Sequence, residues 1–237
     1  MTFKATYLGS NGWVIEFADS KIVIDPWLMG DLVFPPGKWF FKGYLKEEIP
    51  TPTNVSLILL TQGLPDHCHL PSLKRFDRKT KIICPKSAYQ SLKNIGFKSI
   101  EIMRPSDKIT IGNIRIETTS GAPVPQTENG YIVEHKEGSF YIEPHGFFDK
   151  RIRPRKLDAV ITPTKSLKLP ILGSFVKGAE VIPELINAFD PKFILSSTIG
   201  GEAEYSGVLN NFISVDNPKQ QLKCQLLDLM TLETVSI

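Results

Sequence analysis

VSLILLTQGLPDHCH, residues 55–69, is the stretch whose reading decides the fold. Val55 to Leu60 are apolar but for Ser56, and a run of that kind ending at Thr61 predicts a strand buried on both faces. The strand empties into a short turn carrying Asp66, His67 and His69. Carboxylate and imidazole groups thus sit at the end of a rigid element, where metal sites and catalytic groups are commonly mounted. His145, in the segment YIEPHG, follows the same pattern of strand then polar turn.

Outward from this stretch, the chain has 237 residues and no Gly/Ser linker or composition break, which predicts one domain over 1–237. The net charge of +3 is small and its basic residues are interspersed with acidic ones, so there is no strong nucleic-acid signal. The one basic cluster, RIRPRK (Arg151 to Lys156), reads as a solvated loop. No window approaches the roughly 18–20 consecutive apolar residues of a membrane span, and the N-terminal residues lack the features of a secretory signal. Cys68, Cys84 and Cys224 are odd in number and widely spaced, which suits a reducing compartment. A cytoplasmic protein is the expectation.

FKATYL, WVIEF and KIVID (residues 3–25) read as a β-meander turning at GSNG and ADS, and Pro26 of DPWL ends its ladder. Met29 to Asn54 reads as a long connection without clear periodicity. Its aromatic patch KWFFKGY (Lys38 to Tyr44) is placed to wall a pocket, to pin the loop to the core, or to join two copies as a homo-oligomer. After His69 the pattern predicts helices at LPSLKRF and KSAYQSLKNIG, the second ended by Gly96, with KIICP a strand between them. Strands follow at SIEIMRP, KITI, IRIETTS, YIVEH, SFYIEP, DAVITPT, PKFILSST, QLKCQLLDL and ETVSI. GAEVIPELINAF and SGVLNNFIS read as helices, and Val181, Leu185, Ile186 and Phe189 share one apolar face. This order allows two sheets with helices outside each.

The landmarks YLGSNGWVIEFADSKIVIDPWL, LILLTQGLPDHCH, FYIEPH and PKFILSST resemble, in order, those of the metallo-β-lactamase fold superfamily. The similarity is nearest to small hydrolases with a like glycine turn and DPWL pattern, and to a cyanobacterial and plastid-related set with a TQGL-DHCH signature. The resemblance implies a four-layer αββα sandwich of α/β (α+β) class. It also implies that Asp25 supports the loops around a metal site; a turn carboxylate satisfied by backbone N–H groups is the alternative.

Hydrolysing members carry H-x-H-x-D-H after the central strand. Aligned on LILLT, this chain has Gln62 and Leu64 where the two leading histidines stand, and SGAPVPQ (residues 120–126) supplies no third. Leu64 has no lone pair and Gln62 is a poor substitute for imidazole toward zinc, so the first metal site is expected to be absent. For the second site Asp66 and His67 match, His145 stands in place of the bridging aspartate, and Thr198 in place of the last histidine. Asp66, His67 and His145, with His69 or Glu143 as a fourth, suffice for one zinc. Asp66 is also the candidate general base. Cys68 alternates with the histidines and is expected to point into the core, and His135 to lie on the surface. IGGEAEYSG (Ile199 to Gly207) is a weak candidate for anion binding at a helix start.

Two functions stand. One is a metal-dependent hydrolase of a small molecule with at most one ion. The other is a catalytically degenerate sandwich that binds a ligand or a protein partner, with Asp66, His67 and His145 a hydrogen-bonded cluster free of metal.

Overall fold

The computed structural model describes residues 2–123, 128–170, 173–198, 203–216 and 223–237. Two seven-stranded sheets face each other. The first runs Thr234–Ser236, Lys4–Gly9, Gly12–Phe17, Ser20–Ile24, Leu57–Leu59, Lys81–Cys84 and Ile100–Ile102. The second runs Gln225–Leu227, Phe193–Ser196, Ala159–Thr162, Gly138–Ile142, Asn129–His135, Ile114–Ser120 and Lys108–Ile111. Each sheet is built the same way, with an antiparallel meander on one side and parallel strands on the other. The parallel halves require crossovers, and three of them contain an α-helix.

The predicted double burial of the central strand is borne out, because Leu57 and Leu59 join the core between the sheets while Ile58 and Leu60 face the outer layer. Burying each such side chain contributes on the order of 1.5–3 kcal/mol. A one-residue slip would exchange the two faces, so the register is firmly specified and the turn after Leu60 has a fixed place. Between the sheets lie Trp13, Ile15 and Ile24 from one and Tyr131, Phe140 and Ile161 from the other.

Helix α1 (Leu70–Leu73) is a single turn, shorter than the segment LPSLKRF. Helix α2 (Lys86–Asn94) covers the first sheet through Ala88 and Leu92. It ends as expected at Gly96 (φ +93°), whose N–H donates to the Lys93 carbonyl while that of Phe97 donates to Leu92. Helix α3 (Gly178–Phe189) covers the second sheet with Val181, Leu185 and Phe189, while Ile186 is only half-buried. The layers are helix, sheet, sheet, helix.

Some expectations need correction. The connection 29–54 is not irregular throughout. Asp31–Val33 and Lys42–Leu45 pair with each other, and Ala203–Ser206 adds to them as a three-stranded sheet. A second small sheet joins Gly173–Lys177, Ser166–Leu169 and Ser214–Asp216. SGVLNNFIS is a short 3₁₀ helix (Val208–Phe212) leading into strand Ser214–Asp216. Of QLKCQLLDL, residues 221 and 222 lie outside the described residues, as do 199–202 of the candidate anion-binding segment.

Gly63 follows the central strand, and a Cβ there would meet the Ser87 backbone carbon at 2.7 Å. Backbone at the start of α2 cannot yield as a flexible side chain would. Gly63→Ala is expected to cost at least about 1 kcal/mol, in the range of overpacked sites, read as a lower urea midpoint at unchanged m-value.

Candidate metal centre

The centre begins with Asp25, at the end of strand Ser20–Ile24. Its N–H donates to the Leu59 carbonyl (3.1 Å), which continues the parallel pairing, and its φ is +41°. The buried carboxylate accepts the Thr61 N–H at Oδ1 (2.8 Å), and at Oδ2 it accepts the Thr61 hydroxyl and the Nδ1–H of His67 (2.8 Å). This network assigns the proton to Nδ1. His67 therefore turns Nε2 into the cleft, 3.1 Å from Asp66 Oδ2.

Burial opposes charge on the His67 ring, but Asp66 and Asp25 outweigh it and lift its pKa to about 10. Burial raises the pKa of Asp25. For Asp66 burial acts in the same direction but is overcome by His67, and the carboxyl is held below its ordinary range.

His145 comes from the opposite sheet. Glu143 Oε2 accepts the backbone N–H of His145 (3.1 Å) and of Phe147 (2.7 Å), and Oε1 accepts that of Ala122 (3.3 Å). Glu143 thus shapes the turn that carries His145. Burial pushes the Glu143 carboxyl up to about 7 against these donors. The His145 and His67 rings lie 5.0 Å apart, and Nδ1 of His145 is 3.0 Å from the Gln62 amide. Burial, and then the neighbouring His67, bring the pKa of His145 down to about 3.

Asp66, His67 and His145 each offer a ligand atom, all within 4.8 Å of one another. Asp66 Oδ1 is buried without a hydrogen-bond partner. Oδ2 of the same carboxylate, beside two imidazole rings, completes a donor set that suits a borderline cation such as zinc.

The other candidates fall elsewhere. His69 stands at the N-terminal boundary of α1, its side chain making no cap to the helix backbone, with Nδ1 2.7 Å from Ser72 Oγ and its ring edge-on to Trp27. The structure does not bring it to the three. Glu143, engaged by backbone N–H groups, does not converge with them either. Thr198 (φ +72°) accepts no role from its side chain in the cluster: its N–H donates to the Ser10 carbonyl (2.7 Å) and its hydroxyl to that of Pro144 (2.6 Å). Cys68 points into the core as expected, and burial pushes its thiol up to about 12. His135 is not a surface residue. Its buried ring packs on Phe17 and sits 3.1 Å from Asp19. Residues 120–123 of the histidine-free loop are described, and 124–126 lie outside the described residues.

One residue of the cluster escaped the sequence reading. Asn11, in the GSNG turn, places its amide 3.2 Å from His67 Nε2 and 3.3 Å from Asp66 Oδ2. An Asn-Gly pair reads as turn chemistry alone, and only the fold brings it across from another strand pair.

Above the cluster opens a cavity of about 550 Å³. Asp66 and His145 reach it together with Asn11 and Leu64, and the two small sheets wall it. Tyr205 comes from one, with Phe40 and Phe41 from the turn that leads into it, and Leu167, Phe175 and Val215 belong to the other. Phe41 stacks on Tyr205 with ring centroids 5.6 Å apart. The aromatic patch therefore builds a pocket wall, while Trp39 is 66% exposed. Among the described residues that line the cavity there is no lysine or arginine.

A family model described as a beta-lactamase superfamily domain matches residues 4–197. The chain belongs to the beta-lactamase superfamily. Its described architecture is the superfamily's sandwich, which solved structures share over the full chain. Igni18, a novel metallo hydrolase from Ignicoccus hospitalis, is 18% identical over 100% of this chain and 99% of its own (TM-score 0.65). A possible metal-dependent hydrolase from Veillonella parvula is 13% identical over 100% of both chains (TM-score 0.72). The metallo-beta-lactamase fold protein YhfI from Bacillus subtilis is 10% identical over 99% of each (TM-score 0.67). At these identities the likeness is one of fold. No curated protein matches the sequence.

The depressed pKa of His145 has a signed consequence. The unfolded chain takes up a proton near pH ~6.5, whereas the folded chain resists it down to about 3. The contribution of His145 to stability is present above ~6.5 and lost as pH falls toward 3. In metal-free protein, His145→Gln is expected to flatten the fall in urea midpoint between pH 7 and 4.

Proposed function

We propose that this superfamily member is a hydrolase of a neutral small molecule that holds at most one metal ion, zinc, on Asp66, His67 and His145. The observation that carries the reading is the convergence of those three ligand atoms within 4.8 Å, with His67 aimed by Asp25. Bound there, zinc would supply Lewis-acid polarisation of a scissile carbonyl or phosphoryl group and of a water. Oδ1 of Asp66, buried and without a partner, is the atom left to receive a proton, so Asp66 serves as general base. Asp25 holds His67 in one tautomer, and Glu143 holds the backbone of the His145 turn.

The cavity supports the substrate class. Its aromatic wall favours apolar groups, and no lysine or arginine among the described lining residues is there to pair with an anionic group away from the metal. A neutral ester or amide fits these walls better than a phosphorylated or carboxylated molecule. For the same reason, and because Gln62 and Leu64 replace the imidazoles of a first site, activity toward β-lactams is expected to be negligible. Leu64 on the cavity wall also favours a second reading, a module that binds the same neutral molecules without turning them over. Free cysteines, with Cys68 and Cys84 buried, support a reducing compartment such as the cytoplasm. Among the described residues no helix is long and apolar enough to cross a membrane.

Zinc titration with equilibrium dialysis is expected to give one tight equivalent. His67→Ala should abolish it and lower the melting temperature of zinc-loaded protein by more than that of stripped protein, which loses only the Asp25 contact, because a ligand stabilises the state that binds it. Two tight equivalents mapping to this cleft would overturn the stoichiometry. Equal melting losses in loaded and stripped protein would overturn the metal centre in favour of the hydrogen-bonded cluster. Hydrolysis of a neutral aryl ester that depends on zinc and on Asp66 separates the hydrolase from the binding module.

A further inference from the structure

Two carboxamides border the centre, and each leaves its oxygen without a partner. Asn11 and Gln62 are both 1% exposed, and Asn11 Oδ1 and Gln62 Oε1 are buried with no hydrogen-bond partner. A buried, unsatisfied carbonyl oxygen forfeits its hydration with nothing in return, so two of them flanking one point require an explanation. Their nitrogens, by contrast, face the cluster. Nδ2 of Asn11 lies 3.3 Å from Asp66 Oδ2, 3.4 Å from the Asp66 carbonyl and 3.2 Å from His67 Nε2. Nε2 of Gln62 lies 3.0 Å from His145 Nδ1.

We propose that Asn11 is a fourth metal ligand, through Oδ1, and that Gln62 Oε1 is the acceptor that holds His145 in its ligating tautomer. The inference rests on the metal reading above. A half-turn of a terminal amide exchanges oxygen for nitrogen with almost no displacement of heavy atoms. With no cation present, the Asn11 amide directs N–H toward the acceptors of Asp66. A cation reverses that preference and draws Oδ1 inward.

The spacing fits. Asp66 Oδ2, His67 Nε2 and the Asn11 amide atom form a triangle with edges of 3.1, 3.2 and 3.3 Å. A tetrahedral ion with bonds of about 2.0–2.1 Å has edges of about 3.3–3.4 Å. His145 supplies the remaining corner, with water or substrate entering as a fifth donor, only if Nε2 carries a lone pair, which puts the ring proton on Nδ1. That proton needs an acceptor, and the half-turn of Gln62 provides Oε1 at the place its nitrogen now occupies. Gln62 thus fills the position of a lost histidine as an orienter of His145. The alternative role for Asn11, a turn residue satisfied by its own backbone, predicts no link to metal affinity.

Zinc affinity of the full chain, measured by competition with a chromophoric chelator, tests this, together with the visible absorption of the cobalt(II) form. Asn11→Leu and Gln62→Leu are each expected to weaken zinc binding by about 10–100-fold. Asn11→Asp and Gln62→Glu, which keep an oxygen in place, should retain or tighten it. The cobalt(II) bands should move in Asn11→Leu and hold their intensity in Asn11→Asp. A folded Asn11→Leu protein with wild-type affinity overturns the ligand assignment, and a folded Gln62→Leu protein with wild-type affinity overturns the orienting role. Should either leucine variant fail to fold, weakened binding in its oxygen-keeping partner overturns the corresponding role. Wild-type protein that binds no zinc removes the metal reading and this inference together. Binding that requires His67 but ignores Asn11 and Gln62 removes this inference alone.

Discussion

The buried carboxylate of Asp25 ties the site to the fold. One side chain accepts the Thr61 N–H and hydroxyl at the end of the central strand and the Nδ1–H of His67 in the turn beyond. It closes the ends of two adjacent parallel strands and fixes a proton on Nδ1 of the imidazole. A carboxylate so deeply buried is tolerable only when hydrogen bonded, and three donors meet it, one at Oδ1 and two at Oδ2. The position of His67 therefore follows from strand pairing and does not depend on loop conformation. Asp66 comes with it, being the preceding residue.

Much of this was legible in the sequence because the informative patterns are local. The apolar run 55–60 names its own strand, Gly96 its own helix end, and the face Val181, Leu185, Phe189 its own helix. The trio Asp66, His67 and His145 was legible through its mounting on strand ends. The failures share a different cause. Lys42–Leu45 is a strand by virtue of pairing with Asp31–Val33 and with Ala203–Ser206, about 160 residues away, as the Tyr44 to Glu204 register shows. No short window contains that information. His69 looked like a ligand by its spacing, but α1 starts at the next residue and the His69 ring is held by the Ser72 hydroxyl. His135 sits beside a lysine in a hairpin, which suggests solvent, yet Phe17 and Asp19 of the facing sheet cover it.

The cavity shows how a sandwich common to many chemistries acquires its own selectivity. The cluster rests on the large sheets, whose registers are set by core burial. The walls rest on two small sheets whose strands are short and partly exposed. The cluster thus sits on the large, core-specified sheets and the cavity walls on the small ones. The aromatic stack of Phe41 on Tyr205 joins segments 34–41 and 203–206 into one such wall.

Three residues other than glycine that border the cluster, Ser10, Asp25 and Thr198, have φ of +50°, +41° and +72°. The left-handed region costs an L-residue roughly 1–2 kcal/mol, and the Thr198 N–H to Ser10 carbonyl bond makes two of these positions depend on each other. The chain thus keeps conformational energy in reserve where its loops meet, supplied by the well-packed sheets beneath. Glycine at Ser10 or Thr198 would relieve that tension and also loosen the seam between the two sheets, so the most stable form of this sandwich and the best-aligned form of its cleft are not the same molecule.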